Sequence, residues 1–123
     1  MQKKTILIVE DDLDLMEVLI KRFEQASFKV LQAVDGKVGL AEAKKNRPDL
    51  ILLDIIMPVM DGMTMLAKLR EDAWGKNAAV IMLSNLSDEI KVAEAMKNNV
   101  YDYLVKADWN LDEIVQKVRE RLK

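Results

Sequence analysis

Ile6-Leu7-Ile8-Val9-Glu10-Asp11-Asp12 is an apolar run that ends abruptly in three acids. A run of that length suits a strand buried on both faces, as in a parallel sheet covered by helices. The pattern recurs at Leu50-Ile51-Leu52-Leu53, which leads directly into Asp54. In an open α/β sheet, ligands bind beyond the carboxyl ends of the strands. The two acidic tips are therefore expected to meet on one edge of one sheet. Carboxylates held together repel one another and become tolerable when a hard divalent cation sits among them. The expectation is a magnesium site beside a reactive aspartate.

Outward from these runs, strand-like and helix-like stretches alternate to the end of the chain. The first strand is expected at Thr5 to Val9. Leu13, Met16, Ile20 and Phe23 follow at the spacing of one buried helix face. Phe28 to Val34 reads as the second strand. Asp35 and Gly36 open a helix through Asn46, and Pro48 lies just past its end. After the strand at Leu50 to Leu53, the residues Met63, Leu66 and Leu69 mark a third helix. Ala79 to Leu83 is the fourth strand, and Ser87 is an N-cap for a helix through Asn98. Tyr101 to Val105 is a short fifth strand. Asn110 and Glu113 have capping-box spacing and open a last helix, buried through Ile114, Val115, Val118 and Leu122. Five β/α units with short connections make an α/β fold: a doubly wound parallel sheet with helices on both faces.

Composition narrows the function. At 123 residues the chain is expected to be one domain, 1–123, with no output domain attached. A net charge of -2, with no dense run of Lys and Arg, offers no attraction to nucleic acid or to an anionic membrane. No apolar stretch is long enough to span a bilayer and no signal peptide is evident, so the expected location is the cytoplasm. The absence of Cys removes thiolate nucleophiles and Cys-ligated zinc. The absence of His removes Ser-His and Cys-His hydrolase chemistry, and any histidine chemistry must come from a partner.

The loop after the third strand, Asp54-Ile55-Ile56-Met57-Pro58-Val59-Met60-Asp61-Gly62, resembles the phosphoacceptor loop of response-regulator receiver domains of two-component signalling. The acids after the first strand, Ser84 after the fourth and Lys106 after the fifth stand where that family places its other site residues. The resemblance runs the whole length of the chain. It implies a flavodoxin-like sheet of order 2-1-3-4-5 with five helices, and a stand-alone receiver that is not an enzyme, promoting only its own phosphorylation and dephosphorylation.

Under that resemblance Asp54 is the phosphoacceptor. Glu10, Asp11 and Asp54 hold Mg²⁺, with Glu10 acting through water, and the main-chain carbonyl of Ile56 joins them. Lys106 and Ser84 contact the phosphoryl oxygens, as do the backbone amides of Ile55 and Asn85. Ser84 and Tyr103 form the switch. Three carboxylates balance Mg²⁺ and Lys106 in charge, which suits phosphoryl transfer by positioning and neutralisation. The implied partners are a histidine kinase or histidine phosphotransfer protein acting in trans and a downstream protein target. The oligomeric expectation is a monomer or weak dimer.

Each residue also has a plainer reading. Asp12 is expected to cap the first helix, Asp61 to shape the turn before the third, and Gly62 to permit a backbone angle closed to a side chain. Ala107 replaces the proline usual after the lysine. A cis peptide before alanine costs about 3 kcal/mol, so a trans path is expected. Asn85 is larger than the residue usual after the switch hydroxyl, which leaves a pseudo-receiver adaptor, signalling without phosphorylation, as the alternative. An aspartyl phosphatase is disfavoured because Ile56 stands where such enzymes carry a general acid. Apolar Ile56 and Leu86 offer nothing to steer an attacking water, so a long-lived acyl phosphate is expected.

Overall fold

The computed structural model describes residues 3–85 and 89–123. The elements run β1 (Thr5–Val9), α1 (Leu13–Gln25), β2 (Lys29–Ala33), α2 (Gly36–Asn46), β3 (Leu50–Leu53), α3 (Gly62–Glu71), β4 (Val80–Ser84), α4 (Glu89–Lys97), β5 (Asp102–Val105) and α5 (Leu111–Arg121). Short 3-10 turns occupy Gly75–Asn77 and Lys106–Asp108. All five strands are parallel in the order β2-β1-β3-β4-β5, as expected. None of the described helices is long and apolar enough to cross a membrane.

The doubly buried strands follow from their side chains. Leu7, Val9, Ile51, Leu53, Val80 and Met82 point to the layer built with α2 and α3, whose Ala43, Met65, Leu66 and Leu69 complete it. Their neighbours Ile6, Ile8, Leu50, Leu52, Ile81 and Leu83 point to the opposite layer, with Met16, Leu19 and Phe23 of α1 and Ile114, Val115 and Val118 of α5. The two sets alternate because successive strand side chains face opposite sides. Each fully buried Leu or Ile contributes about 1.5–3 kcal/mol relative to exposure.

Expected burial and element limits differ from the structure in several places. The buried face of α1 is Met16, Leu19 and Phe23; Leu13 is 67% exposed and Ile20 only partly covered. The first turn of α1 leaves the sheet edge beside the acidic tip, so Leu13 has no layer beneath it. β4 starts one residue later than expected and takes in Ser84, while Ala79 still accepts a hydrogen bond from the Ile51 N–H. Leu122 is partly buried rather than core. Ser87, expected to cap α4, lies outside the described residues.

One residue that the periodicity did not single out ties four segments together. Arg70, near the end of α3, donates from Nε to the carbonyl of Asn98 and from Nη1 to those of Gly75 and Ala78. Its Nη2 donates to the carbonyl of Asn99. Hydrogen bonds from a charged donor contribute about 1.5–3 kcal/mol each and do not add fully, so Arg70→Met is expected to destabilise by about 3 kcal/mol. Urea unfolding measures it, and a loss below about 1 kcal/mol would mean that water replaces the guanidinium.

Candidate functional site

The parallel order places the carboxyl ends of β1, β3, β4 and β5 on one edge, and each contributes to one cleft. Its volume is about 280 Å³, and its walls are Glu10, Asp11, Asp12, Asp54, Ile56, Ser84, Asn85 and Lys106. Glu10 and Asp54 are buried, an unusual state for carboxylates, whereas Asp11 is exposed. One carboxylate oxygen from each of Glu10, Asp11 and Asp54 lies within 4.8 Å of the others. Three converging carboxylates, one of them open to solvent, suit Mg²⁺, which keeps part of its water shell.

Asp54 is held from several sides. Its N–H donates to the Val9 carbonyl at 3.0 Å, continuing the ladder past the end of β3. Its Oδ1 accepts from the Ile55 N–H at 2.7 Å, and its Oδ2 accepts from Lys106 Nζ at 3.1 Å. Lys106 reaches further than expected: its Nζ also stands 2.7 Å from Glu10 Oε1. The other Glu10 oxygen accepts the Asp12 N–H at 3.1 Å. Burial pushes the Glu10 carboxyl up to about 7, against the opposing pull of Lys106 and the Asp12 N–H. For Lys106, burial works to lower the ammonium's pKa, but the hydrogen bonds and charges of Glu10 and Asp54 outweigh it and the net direction is upward. The lysine thus acts as the resident counter-ion of two buried carboxylates.

Plainer roles account for the neighbours. Asp12 Oδ1 accepts the Leu15 N–H and caps α1, and Asp61 Oδ1 accepts the Thr64 N–H and caps α3. Gly62 departs from expectation, since no described glycine has positive φ. It is required for room: a Cβ there would lie 1.9 Å from the Asp54 carbonyl oxygen. The positive φ, 69°, belongs instead to Val59, where the Met60 N–H closes on the Pro58 carbonyl at 2.7 Å. That is a γ-turn of the strained hand. The loop is tied down by the Gly36 N–H to the Met60 carbonyl and by the Gly62 N–H to the Ile55 carbonyl.

Ser84 is buried at the end of β4, and Asn85 beside it is exposed. Ile56 stands 61% exposed at the mouth of the cleft. Tyr103 is half-buried on β5, opposite Met82, and packs on the layer shared with α3. All peptide bonds among the described residues are trans, including Lys106–Ala107. Trp109, given no role by the sequence, packs against the α1 and α5 layer with Lys117 Nζ 5.6 Å from its ring centre. The Lys106–Glu10 pair has no signature in the sequence, because β5 and β1 are three strands apart in the sheet.

Comparison with known proteins converges on one family. Residues 6–119 match the family described as response regulator receiver domain. The chain is 35% identical to the DNA-binding dual master transcriptional regulator RpaA of Synechocystis sp., over 96% of this chain and 48% of that protein. It is 37% identical to the transcriptional regulatory protein PrrA of Mycobacterium tuberculosis, over 96% of this chain and 49% of that protein. The chain therefore spans about half the length of the curated relatives it matches. Among solved structures, CheY in the CheX-CheY-BeF3-Mg²⁺ complex of Borrelia burgdorferi aligns with a TM-score of 0.88 and 30% identity, covering 98% of this chain and 90% of that one.

Proposed function

The chain belongs to the response regulator receiver domain family of two-component signalling, and from that premise we propose that Asp54 accepts a phosphoryl group from a partner's phosphohistidine. The observation that carries this is the placement of Asp54: buried, at the tip of β3, within reach of two further carboxylates and 3.1 Å from Lys106. An Asp54 carboxylate oxygen attacks phosphorus as the P–N bond to the donor imidazole breaks, and the imidazole leaves with the bonding pair. The chain has no histidine, so the donor histidine lies outside these 123 residues, on a histidine kinase or phosphotransfer protein. Glu10, Asp11 and Asp54 hold Mg²⁺, with the Ile56 carbonyl as a further donor; the ion, when bound, neutralises charge on the phosphoryl oxygens. Lys106 balances the same charge from the β5 side, and the Ser84 hydroxyl and the N–H groups of Ile55 and Asn85 donate hydrogen bonds. Inward movement of Ser84 opens space for Tyr103 and alters the surface of α4, β5 and α5 that a downstream protein reads.

Incubation with acetyl phosphate and Mg²⁺, followed by intact mass, tests this reading. Wild type gains one phosphoryl group, and Asp54→Asn or excess EDTA gives none. An unmodified wild type would favour the phosphorylation-independent adaptor instead. The exposed apolar Ile56 gives an attacking water no hydrogen bond, so the acyl phosphate is long-lived. Ile56→Asn is expected to speed its hydrolysis about tenfold, the worth of one hydrogen bond near 1.4 kcal/mol. Identical half-lives of the two phosphoproteins would remove Ile56 from that role.

A further inference from the structure

At the opposite edge of the sheet, ahead of β4 and β5, lies a recess of about 300 Å³ whose walls include Arg70, Lys76, Asn77, Asn99, Tyr101 and Arg121. It is lined by three cations, one phenol and two side-chain amides, and by no carboxylate. That is notable in a chain whose net charge is -2. The three cations arrive from separate elements: Arg70 from α3, Lys76 from the 3-10 turn and Arg121 from the last turn of α5.

None of the three has a carboxylate partner among the described residues. Arg70 satisfies four carbonyls, which meets its hydrogen-bonding geometry but leaves its charge unneutralised and one of its five N–H groups uncommitted. Burial also pulls its pKa below the ordinary arginine value. Arg121 lies 5.6 Å from the Tyr101 ring centre, a contact that positions the guanidinium without cancelling its charge. Asp72, the acid just before the 3-10 turn, is committed elsewhere: its Oδ2 accepts the Trp74 and Gly75 N–H groups.

We propose that this recess binds a small phosphate-bearing anion, at a site separate from Asp54. Two exposed cations, Lys76 and Arg121, beside a guanidinium fixed by four carbonyls match the several oxygens of a phosphate, and charge-assisted hydrogen bonds are strongest with such acceptors. The volume sits at the low end of small-molecule sites, which favours a compact anion over a peptide.

Calorimetric titration of inorganic pyrophosphate into the full chain, in EDTA and at fixed ionic strength, tests the proposal. Saturable one-site binding is expected, and Lys76→Glu and Arg121→Glu should each weaken it about tenfold or more through lost and reversed charge. Both residues lie on the far edge from Asp54, so labelling by acetyl phosphate should stay normal in these variants. That control shows that they fold and keeps this test separate from the assignment of Asp54. Parallel titrations with orthophosphate and ADP distinguish a bare phosphate from a nucleotide. The proposal is overturned if pyrophosphate binds no better than chloride, if the charge reversals leave binding unchanged, if Lys106→Met alone removes it, or if only a poly-glutamate peptide binds.

Discussion

Lys106→Met is expected to destabilise the metal-free protein by about 3 kcal/mol at pH 8, because it leaves two buried carboxylates without their cation. The low end of the usual range applies, since the Lys106 side chain keeps 16% exposure and water can enter. The loss should shrink as pH falls. Glu10 has a folded pKa of about 7 against an ordinary value of 4.5. A carboxyl raised in this direction contributes stability that is fully present below about 4.5 and lost as pH rises through about 7. In acid Glu10 is protonated and needs no counter-ion, so the part of the loss that comes from Glu10 should be gone near pH 4.5 and the gap to wild type narrower. Urea unfolding in EDTA at several pH values reads this directly.

Mg²⁺ should then rescue the stability of the variant but not its reactivity. It should bind more tightly than in wild type, because Lys106 no longer competes for Glu10 and Asp54, and so restore most of the lost stability. Phosphorylation by acetyl phosphate should nonetheless slow by about a hundredfold, the typical loss for one charge-stabilising donor. A variant equally stable at pH 8, or one in which Mg²⁺ binds more weakly, would show that Lys106 is a surface lysine and not the counter-ion of the site.

The fold was legible because its main signals are local. Four-residue apolar runs, the helix caps at Asp12, Asp35 and Asn110 and the capping box at Glu113 each depend on a few neighbouring residues, and the structure shows them as read. The buried face of α1 was legible only in part: Met16 and Phe23 are buried as expected, but Leu13, Leu15, Met16, Val18, Leu19, Ile20 and Phe23 spread apolar surface widely around the helix. Only the position of the sheet decides that Leu19, and not Leu13, is covered. The acidic cleft was readable in outline, since each member sits at a strand tip and parallel strands share one edge. Contacts between distant tips, such as Lys106 with Glu10, depend on how far a flexible side chain reaches. Arg70 escaped for a related reason: its partners are main-chain carbonyls, which no residue type announces.

Gly62→Ala is expected to be the most damaging single methyl in the protein's functional loop. The added Cβ would lie 1.9 Å from the Asp54 carbonyl oxygen, 2.8 Å from the carbonyl carbon and 3.0 Å from the Ile55 Cα. All three are backbone atoms, so no rotamer relieves the clash, and the main chain beside the acceptor carboxylate must move. Overpacking of this kind costs about 3 kcal/mol or more, a fall in melting temperature of at least about 10 °C for a domain this size. Molecules that do fold should accept phosphoryl groups slowly, because the displaced segment carries Asp54 itself. Gly36→Ala makes a contrast: its Cβ would meet the Met60 carbonyl oxygen at 2.4 Å, a smaller overlap, and the main chain that must give way there, at Met60 and Asp61, does not adjoin the acceptor carboxylate. It should cost less and leave labelling of Asp54 nearly normal. Gly62→Asn separates room from backbone angle. Asparagine tolerates positive φ, so it would rescue a conformational requirement, yet it cannot rescue a collision. If Gly62→Asn proves as stable as wild type while Gly62→Ala does not, the close approach to Asp54 is not what excludes a side chain there.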